Sequence, residues 1–73
     1  MEGELQRVVG EQVRRVRAER GLSQEALADA LGVHRTYLGA VERGERNLTL
    51  RTVERLADRL DVPVRDLLEP SGR

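Results

Sequence analysis

Two short amphipathic segments, joined by a turn of only three residues, constrain the fold of this chain more than any other feature. The pattern predicts one helix over about 24–31 and a second over about 35–43. Ser23 precedes the first helix and has a side chain that caps helix N-termini. Gly32, in the turn, permits left-handed backbone, and the small Ala28 lets the second helix cross close to the first. The pair therefore has the features of a helix-turn-helix motif.

The rest of the chain is also helical in its pattern, which predicts an all-α fold with five short helices. No segment alternates apolar and polar residues over the length of a strand. The first helix is expected over about 4–20, although Gly10 weakens it and offers a later start. A fourth helix is expected after its cap, Thr49, and a fifth is opened by Pro63. One face of the first helix collects Leu5, Val9, Val13 and Val16.

Length and composition narrow the class of protein. The chain has 73 residues, enough for one domain, expected over 1–69, with a flexible tail over 70–73. It has no cysteine and one histidine, so no disulfide, metal site or cofactor is expected. No apolar run approaches the roughly 20 residues of a membrane span, and the N-terminus lacks the apolar core of a signal peptide. We therefore expect a cytoplasmic protein without membrane contact.

An enzymatic activity is not expected. Ser23 and Ser71 are the only serines, and neither can be paired with His34 from the sequence alone. The carboxylates fall on solvated helix faces or at helix caps, and a domain of this size has no room for a deep pocket.

The charged residues are distributed unevenly, although the net charge at pH 7 is zero. Residues 34–51 contain four arginines and two glutamates, whereas residues 21–33 contain two acidic residues and no basic one. All 13 basic residues are arginine, the side chain that suits bidentate contacts with phosphate and guanine. A GC-rich genome would produce the same bias, and the two explanations are compatible.

The second helix of the motif has two opposite faces when its residues are placed about 100° apart. Leu38 and Val41 form the apolar face. The other face holds Arg35, Thr36, Gly39, Ala40 and Arg43. Glycine is a poor helix former on an exposed face unless something large must approach it. The DNA major groove accepts a helix in this way, with its N-terminal residues touching base edges, so the pattern predicts a recognition helix.

With these residues the chain resembles the phage-repressor (Cro- and XRE-type) helix-turn-helix family over about 10–68. The resemblance is carried by GLSQEALADALGV, RTYLGAVERGERNLTL and LADRLDVPVRDLL. Within the family the chain is most similar to the small controller proteins of restriction–modification systems. These share the short length, the RTY opening of the recognition helix and the ERGERNLTL that follows. The resemblance implies a compact five-helix DNA-binding domain of the phage-repressor type.

The resemblance also implies roles for individual residues. The residues that would face bases are Arg35, Thr36 and Ala40. The residues that would contact the DNA backbone are Gln24, Tyr37, Arg43, Arg46 and Asn47. Arg17 and Glu42 would form a structural ion pair between the first and third helices. His34 stands where the family usually has a better capping residue, and is either a weak cap or a further DNA backbone contact when protonated.

The end of the chain, over about 50–68, carries more apolar side chains than so small a protomer easily hides, which favours a symmetric homodimer. The residues expected in its interface are Leu50, Val62, Val64, Leu67 and Leu68. Two recognition helices about 34 Å apart would then read a palindrome with half-sites about 10 bp apart.

The function that the resemblance implies is regulation of transcription through double-stranded operator DNA, in the cytoplasm and in association with the nucleoid. RNA polymerase is a further partner if the protein acts as an activator. The alternative is an antitoxin or another protein-binding module on the same fold. A protein-binding face should carry larger apolar side chains in place of Arg35, Gly39 and Arg43, which distinguishes the two hypotheses.

Overall fold

The structure, a computed structural model, describes residues 3–70, and these form five helices without a strand. The helices are α1 (Glu4–Glu19), α2 (Gln24–Leu31), α3 (Arg35–Glu42), α4 (Leu50–Leu60) and α5 (Val64–Leu68). The predicted all-α, five-helix fold is confirmed, and the first three helices end within one residue of the predicted bounds. Of the predicted flexible tail over 70–73, residues 71–73 lie outside the described part of the chain.

Local side-chain and backbone chemistry fixes the helix ends. The Ser23 hydroxyl accepts a hydrogen bond from the backbone N–H of Ala26 at 3.0 Å, as an N-cap does. Thr49 caps α4 in the same way, accepting from the N–H of Thr52 at 3.1 Å. Gly32 ends α2 with a φ of 72°, in the left-handed region that favours glycine. These ends depend on residues close in sequence, which is why they were predictable.

Helix α1 runs without interruption through Gly10, so the suggested start after this glycine is wrong. A Cβ added at Gly10 would overlap the carbonyl oxygen of Val41 and lie 2.8 Å from that of Glu42. The backbones of α1 and α3 are therefore in direct contact at this point. The glycine weakens α1 as an isolated helix but permits this close approach of α1 and α3.

The core contains apolar side chains from all five helices and also Leu48, from the loop before α4. On α1, Val9, Val13 and Val16 are buried as predicted, but Leu5 is 40% exposed. Gln12 is buried instead, at 2% exposure. Its Nε2 donates to the carbonyl oxygen of Glu69 at 2.8 Å, and this bond ties α1 to the end of α5. None of the helices within residues 3–70 combines the length and apolarity that crossing a membrane requires.

The apolar residues at the α4–α5 end divide into two groups. Leu67 is 0% exposed within the protomer, so it has no surface to offer a second subunit. The assignment of Leu67 to the dimer interface is therefore corrected: it is a core residue. Leu50, at the start of α4, is 55% exposed. Val62, Val64 and Leu68 are half-buried and pack against the core from outside.

Candidate nucleic-acid interface

The turn between α2 and α3 is held by backbone hydrogen bonds and by one long-range contact. The N–H of Val33 donates to the carbonyl oxygen of Ala28 at 2.9 Å, and that of Gly32 to Asp29 at 3.1 Å. From α4, Arg59 Nη1 donates to the carbonyl oxygen of Leu31 at 2.6 Å. This contact satisfies a carbonyl at the C-terminus of α2, where the helix itself supplies no donor.

Helix α3 is fixed to the protein by its apolar face and presents the opposite face outward. Leu38 and Val41 are fully buried, whereas Arg35 and Thr36 are exposed at the N-terminal end. Arg43, the residue that caps the C-terminus of α3, is also exposed. The face predicted to meet base edges is therefore accessible at both of its ends.

The small residues in the middle of this face are less open than predicted. Ala40 is half-buried and Gly39 is buried. A Cβ added at Gly39 would lie 3.2 Å from Arg43 Nη1 and 3.7 Å from Gln24 Oε1. Only the contact with Arg43 is tight, and it involves the flexible end of an exposed side chain. The approach of a large partner to Gly39 therefore stays a prediction.

His34 is the N-cap of α3. Its Nδ1 accepts a hydrogen bond from the N–H of Thr36 at 3.1 Å, and a ring nitrogen that accepts a hydrogen bond carries no proton. Protonation would remove this acceptor, so a protonated His34 could contact phosphate only at the expense of the cap. The neutral ring still has an Nε2–H to donate.

Tyr37 and Arg46 are brought together by the loop that follows α3. The guanidinium carbon of Arg46 lies 5.0 Å from the centroid of the Tyr37 ring, within the range of a cation–π interaction. Tyr37 is half-buried, whereas Arg46 and Asn47 are exposed. Two of the residues predicted to contact the DNA backbone, Tyr37 on α3 and Arg46 in the loop, therefore lie against each other.

Arg17 and Glu42 form a bidentate ion pair between α1 and α3. Arg17 Nε lies 2.7 Å from Glu42 Oε2, and Arg17 Nη2 lies 3.0 Å from Glu42 Oε1. The side chain of Glu42 is 3% exposed and that of Arg17 is 20% exposed. This is the pair that the resemblance implied, and its burial gives it a structural role.

Gln24 is attached to the same carboxylate, which the sequence did not indicate. Its Nε2 donates to Glu42 Oε1 at 2.9 Å, so α2 joins α1 and α3 in one network. Gln24 and Glu42 belong to different helices, and no spacing rule connects them. Gln24 is predicted to contact the DNA backbone. Its side chain is already held by this hydrogen bond to Glu42.

The exposed arginines of the face differ in how far they are neutralised. Arg43 Nε pairs with Glu45 Oε1 at 3.0 Å, but both side chains are more than half exposed, so the pair is weak. Within residues 3–70, Arg35 and Arg46 form no ion pair. Arg35 and Arg46 therefore carry positive charges without an acidic partner among the described residues, and Arg43 has only an exposed one.

Comparison with known proteins supports this description. The helix-turn-helix family HTH_3 matches residues 13–67. The control protein C.SmaI of Serratia marcescens is 46% identical over 69 residues, which cover 94% of this chain and 82% of that protein.

Two solved structures extend the similarity to the fold. The restriction–modification controller protein C.AhdI from Aeromonas hydrophila is similar with a TM-score of 0.73 and 44% identity, over 85% of this chain and 94% of that one. The restriction–modification controller protein C.Esp1396I, solved as a tetramer in complex with its natural 35-base-pair operator, is similar with a TM-score of 0.74 and 30% identity. That match covers 93% of this chain and all of the other.

Proposed function

Because the chain belongs to the HTH_3 helix-turn-helix family of transcriptional regulators, we propose that it binds operator DNA sequence-specifically, as a homodimer on a palindromic site. One observation carries the proposal. Helix α3 is locked to the core by Leu38 and Val41 while Arg35 and Thr36 remain exposed at its N-terminal end. This is the end of a recognition helix that meets base edges in the major groove.

The proposed contacts divide into two kinds. Arg35 reads a base, with guanine O6 and N7 as its acceptors, and Thr36 and Ala40 contact neighbouring base edges. Contacts to the phosphates come from Gln24, His34, Tyr37, Arg43, Arg46 and Asn47. The phosphate contacts fix the register of the protein on DNA, whereas the base contacts discriminate between sequences.

The proposed dimer forms through the α4–α5 end. Leu50 is the most exposed large apolar side chain in the described part of the chain, and the half-buried Val62, Val64 and Leu68 supply further apolar surface. A two-fold interface there places two copies of α3 in successive major grooves when they are about 34 Å apart. The solved tetramer of C.Esp1396I on its operator suggests that two such dimers occupy one operator.

We further propose that the protein controls a restriction–modification system, on the basis of its similarity to C.SmaI and C.AhdI. In this role it binds upstream of its own gene and of a linked endonuclease gene. It activates at low occupancy, through contact with RNA polymerase, and represses at high occupancy. The role needs no catalysis and no cofactor, and is performed in the cytoplasm at the nucleoid.

The test is selection of the full chain against a random pool of duplex DNA, followed by fluorescence anisotropy of the selected duplex at two salt concentrations. We expect a palindrome with half-sites about 10 bp apart, bound far more tightly than a scrambled duplex. Affinity should fall by orders of magnitude between about 50 and 200 mM salt. Failure to enrich any sequence would contradict the proposal and favour a protein-binding module, such as an antitoxin.

A further inference from the structure

The buried ion pair bears directly on how Gln24 meets DNA. Glu42 Oε1 accepts hydrogen bonds from both Arg17 Nη2, at 3.0 Å, and Gln24 Nε2, at 2.9 Å. An ionised carboxylate only accepts hydrogen bonds, so the amide nitrogen of Gln24 must face it and the amide oxygen cannot. Glu42 therefore selects one of the two orientations that the Gln24 amide could adopt.

This orientation leaves one amide hydrogen for another acceptor, because Nε2 carries two. The amide lies over Gly39, where an added Cβ would be 3.8 Å from Nε2, and the guanidinium of Arg43 lies over the same residue. Gln24 also begins α2, whose first backbone N–H groups have no acceptor within the helix. The neutral donor of Gln24 and the cationic donor of Arg43 therefore lie beside the same residue of α3.

We propose that Glu42 and Arg17 are positioning residues for DNA binding, whose ion pair orients the Gln24 amide so that its free hydrogen meets a backbone phosphate. The inference rests on the proposed function, because it takes DNA as the ligand. The ion pair is itself anchored, since Arg17 Nη1 donates to the carbonyl oxygen of Leu22 at 3.1 Å. The amide is thus held before DNA arrives, and binding costs less side-chain freedom than for a mobile glutamine.

The proposal is tested by a double-mutant cycle on the selected operator, using the full chain as wild type, Gln24→Ala, Glu42→Gln and the double variant. Glu42→Gln keeps the size of the side chain but replaces a pure acceptor with an amide. We expect each single substitution to weaken operator binding about tenfold, as for one hydrogen bond to a charged group. The double variant should bind no more weakly than Gln24→Ala alone.

A purely structural role for Glu42 predicts the opposite result. The two losses would then be independent and would multiply to about a hundredfold, which would overturn the proposal, as would unchanged binding by Glu42→Gln. The matched control is Glu45→Gln, the same substitution on the exposed partner of Arg43. It removes the same negative charge three residues further along the chain and leaves the Glu42 network intact, so we expect it not to weaken binding.

A second measurement uses the free wild-type protein and does not depend on the stability of any variant. The chain has only three glutamines and one asparagine, so its side-chain amides give few NMR signals. The pair of signals that disappears in the Gln24→Ala variant belongs to Gln24. We expect the Gln24 amide to be rigid in ¹⁵N relaxation and the exposed Asn47 amide to be mobile. Equal mobility of the Gln24 and Asn47 amides would overturn this proposal even if the protein binds DNA. Failure of the proposed function would be seen separately, because no operator would then be selected from the random pool.

Discussion

Arg35 and Arg43 lie at opposite ends of the exposed face of α3, and we expect their replacement to have different consequences. Arg35→Ala should lose about 1–3 kcal/mol on the operator and relax discrimination at one base pair, because a base contact is lost. Arg43→Ala should weaken binding to all duplexes alike, because a phosphate contact carries no sequence information. Anisotropy on the operator and on a scrambled duplex measures both, and equal losses for Arg35→Ala would contradict its base-reading role.

The Arg17 side chain contributes to stability mainly by keeping a buried carboxylate paired. Arg17→Ala would leave Glu42, 3% exposed, without its cation, and we expect it to lower the free energy of unfolding by about 3–5 kcal/mol. Arg7→Ala, which breaks an exposed pair with Glu4, should change it by less than about 1 kcal/mol. Urea denaturation compares the two, and similar losses would show that burial of the ion pair is unimportant.

Glycines within helices illustrate what a helix needs beyond its own sequence. Gly10 and Gly39 look alike in sequence, each a weak point of about 1 kcal/mol in an otherwise helical segment. Their surroundings differ: an added Cβ meets backbone carbonyls at Gly10 but only the flexible ends of side chains at Gly39. The backbone carbonyls beside Gly10 cannot shift to admit a methyl group without moving α3, whereas the side-chain ends beside Gly39 can rotate away.

The matched substitutions should therefore differ in their effect on the free energy of unfolding. Gly10→Ala should destabilise the protein by about 1–3 kcal/mol, because overpacking separates α1 from α3. Gly39→Ala should be neutral or stabilise it by up to about 1 kcal/mol, through better helix propensity. Urea denaturation of both variants tests this, and a stabilising Gly10→Ala would mean that the α1–α3 contact is looser than described.

The bounds of the first three helices and the start of the fourth could be predicted from the sequence, and the contacts between helices could not. Ser23, Gly32 and Thr49 act on neighbouring residues, so the ends of α2 and the start of α4 are local properties. The contact at Gly10 and the bond from Gln24 to Glu42 join separate helices. Periodicity shows which face of a helix is apolar but not which residue of another helix lies against it.

The same limit explains the two apolar residues whose environment differs from the prediction. Leu5 lies on the apolar side of α1 in the helical wheel but beyond the edge of the core, and is exposed. Leu67 was expected at a dimer surface and fills the core, because α5 folds back against α1 and α4. The outward face of α3 was predicted more closely, since its buried side was evident from Leu38 and Val41.

The assembled molecule offers a direct test of its proposed symmetry. Leu50→Glu places a charge in the proposed two-fold interface, and we expect dimer dissociation in sedimentation equilibrium and a large loss of affinity for the palindrome. The protomer should stay folded, because glutamate suits the first turn of α4. The control is Leu5→Glu, at the other exposed large apolar residue among those described, and this variant should remain dimeric. Dissociation of both variants, or of neither, would contradict the assigned interface.

Tyr37, whose ring lies under the guanidinium of Arg46, is positioned to report on the proposed DNA interface. The chain has one tyrosine and neither tryptophan nor phenylalanine, so the core contains no aromatic chromophore. All near-ultraviolet absorption and fluorescence of the aromatic side chains therefore originate in α3 itself. Fluorotyrosine incorporated during expression would give a single ¹⁹F resonance at that position, which follows the arrival of a ligand without any engineered label.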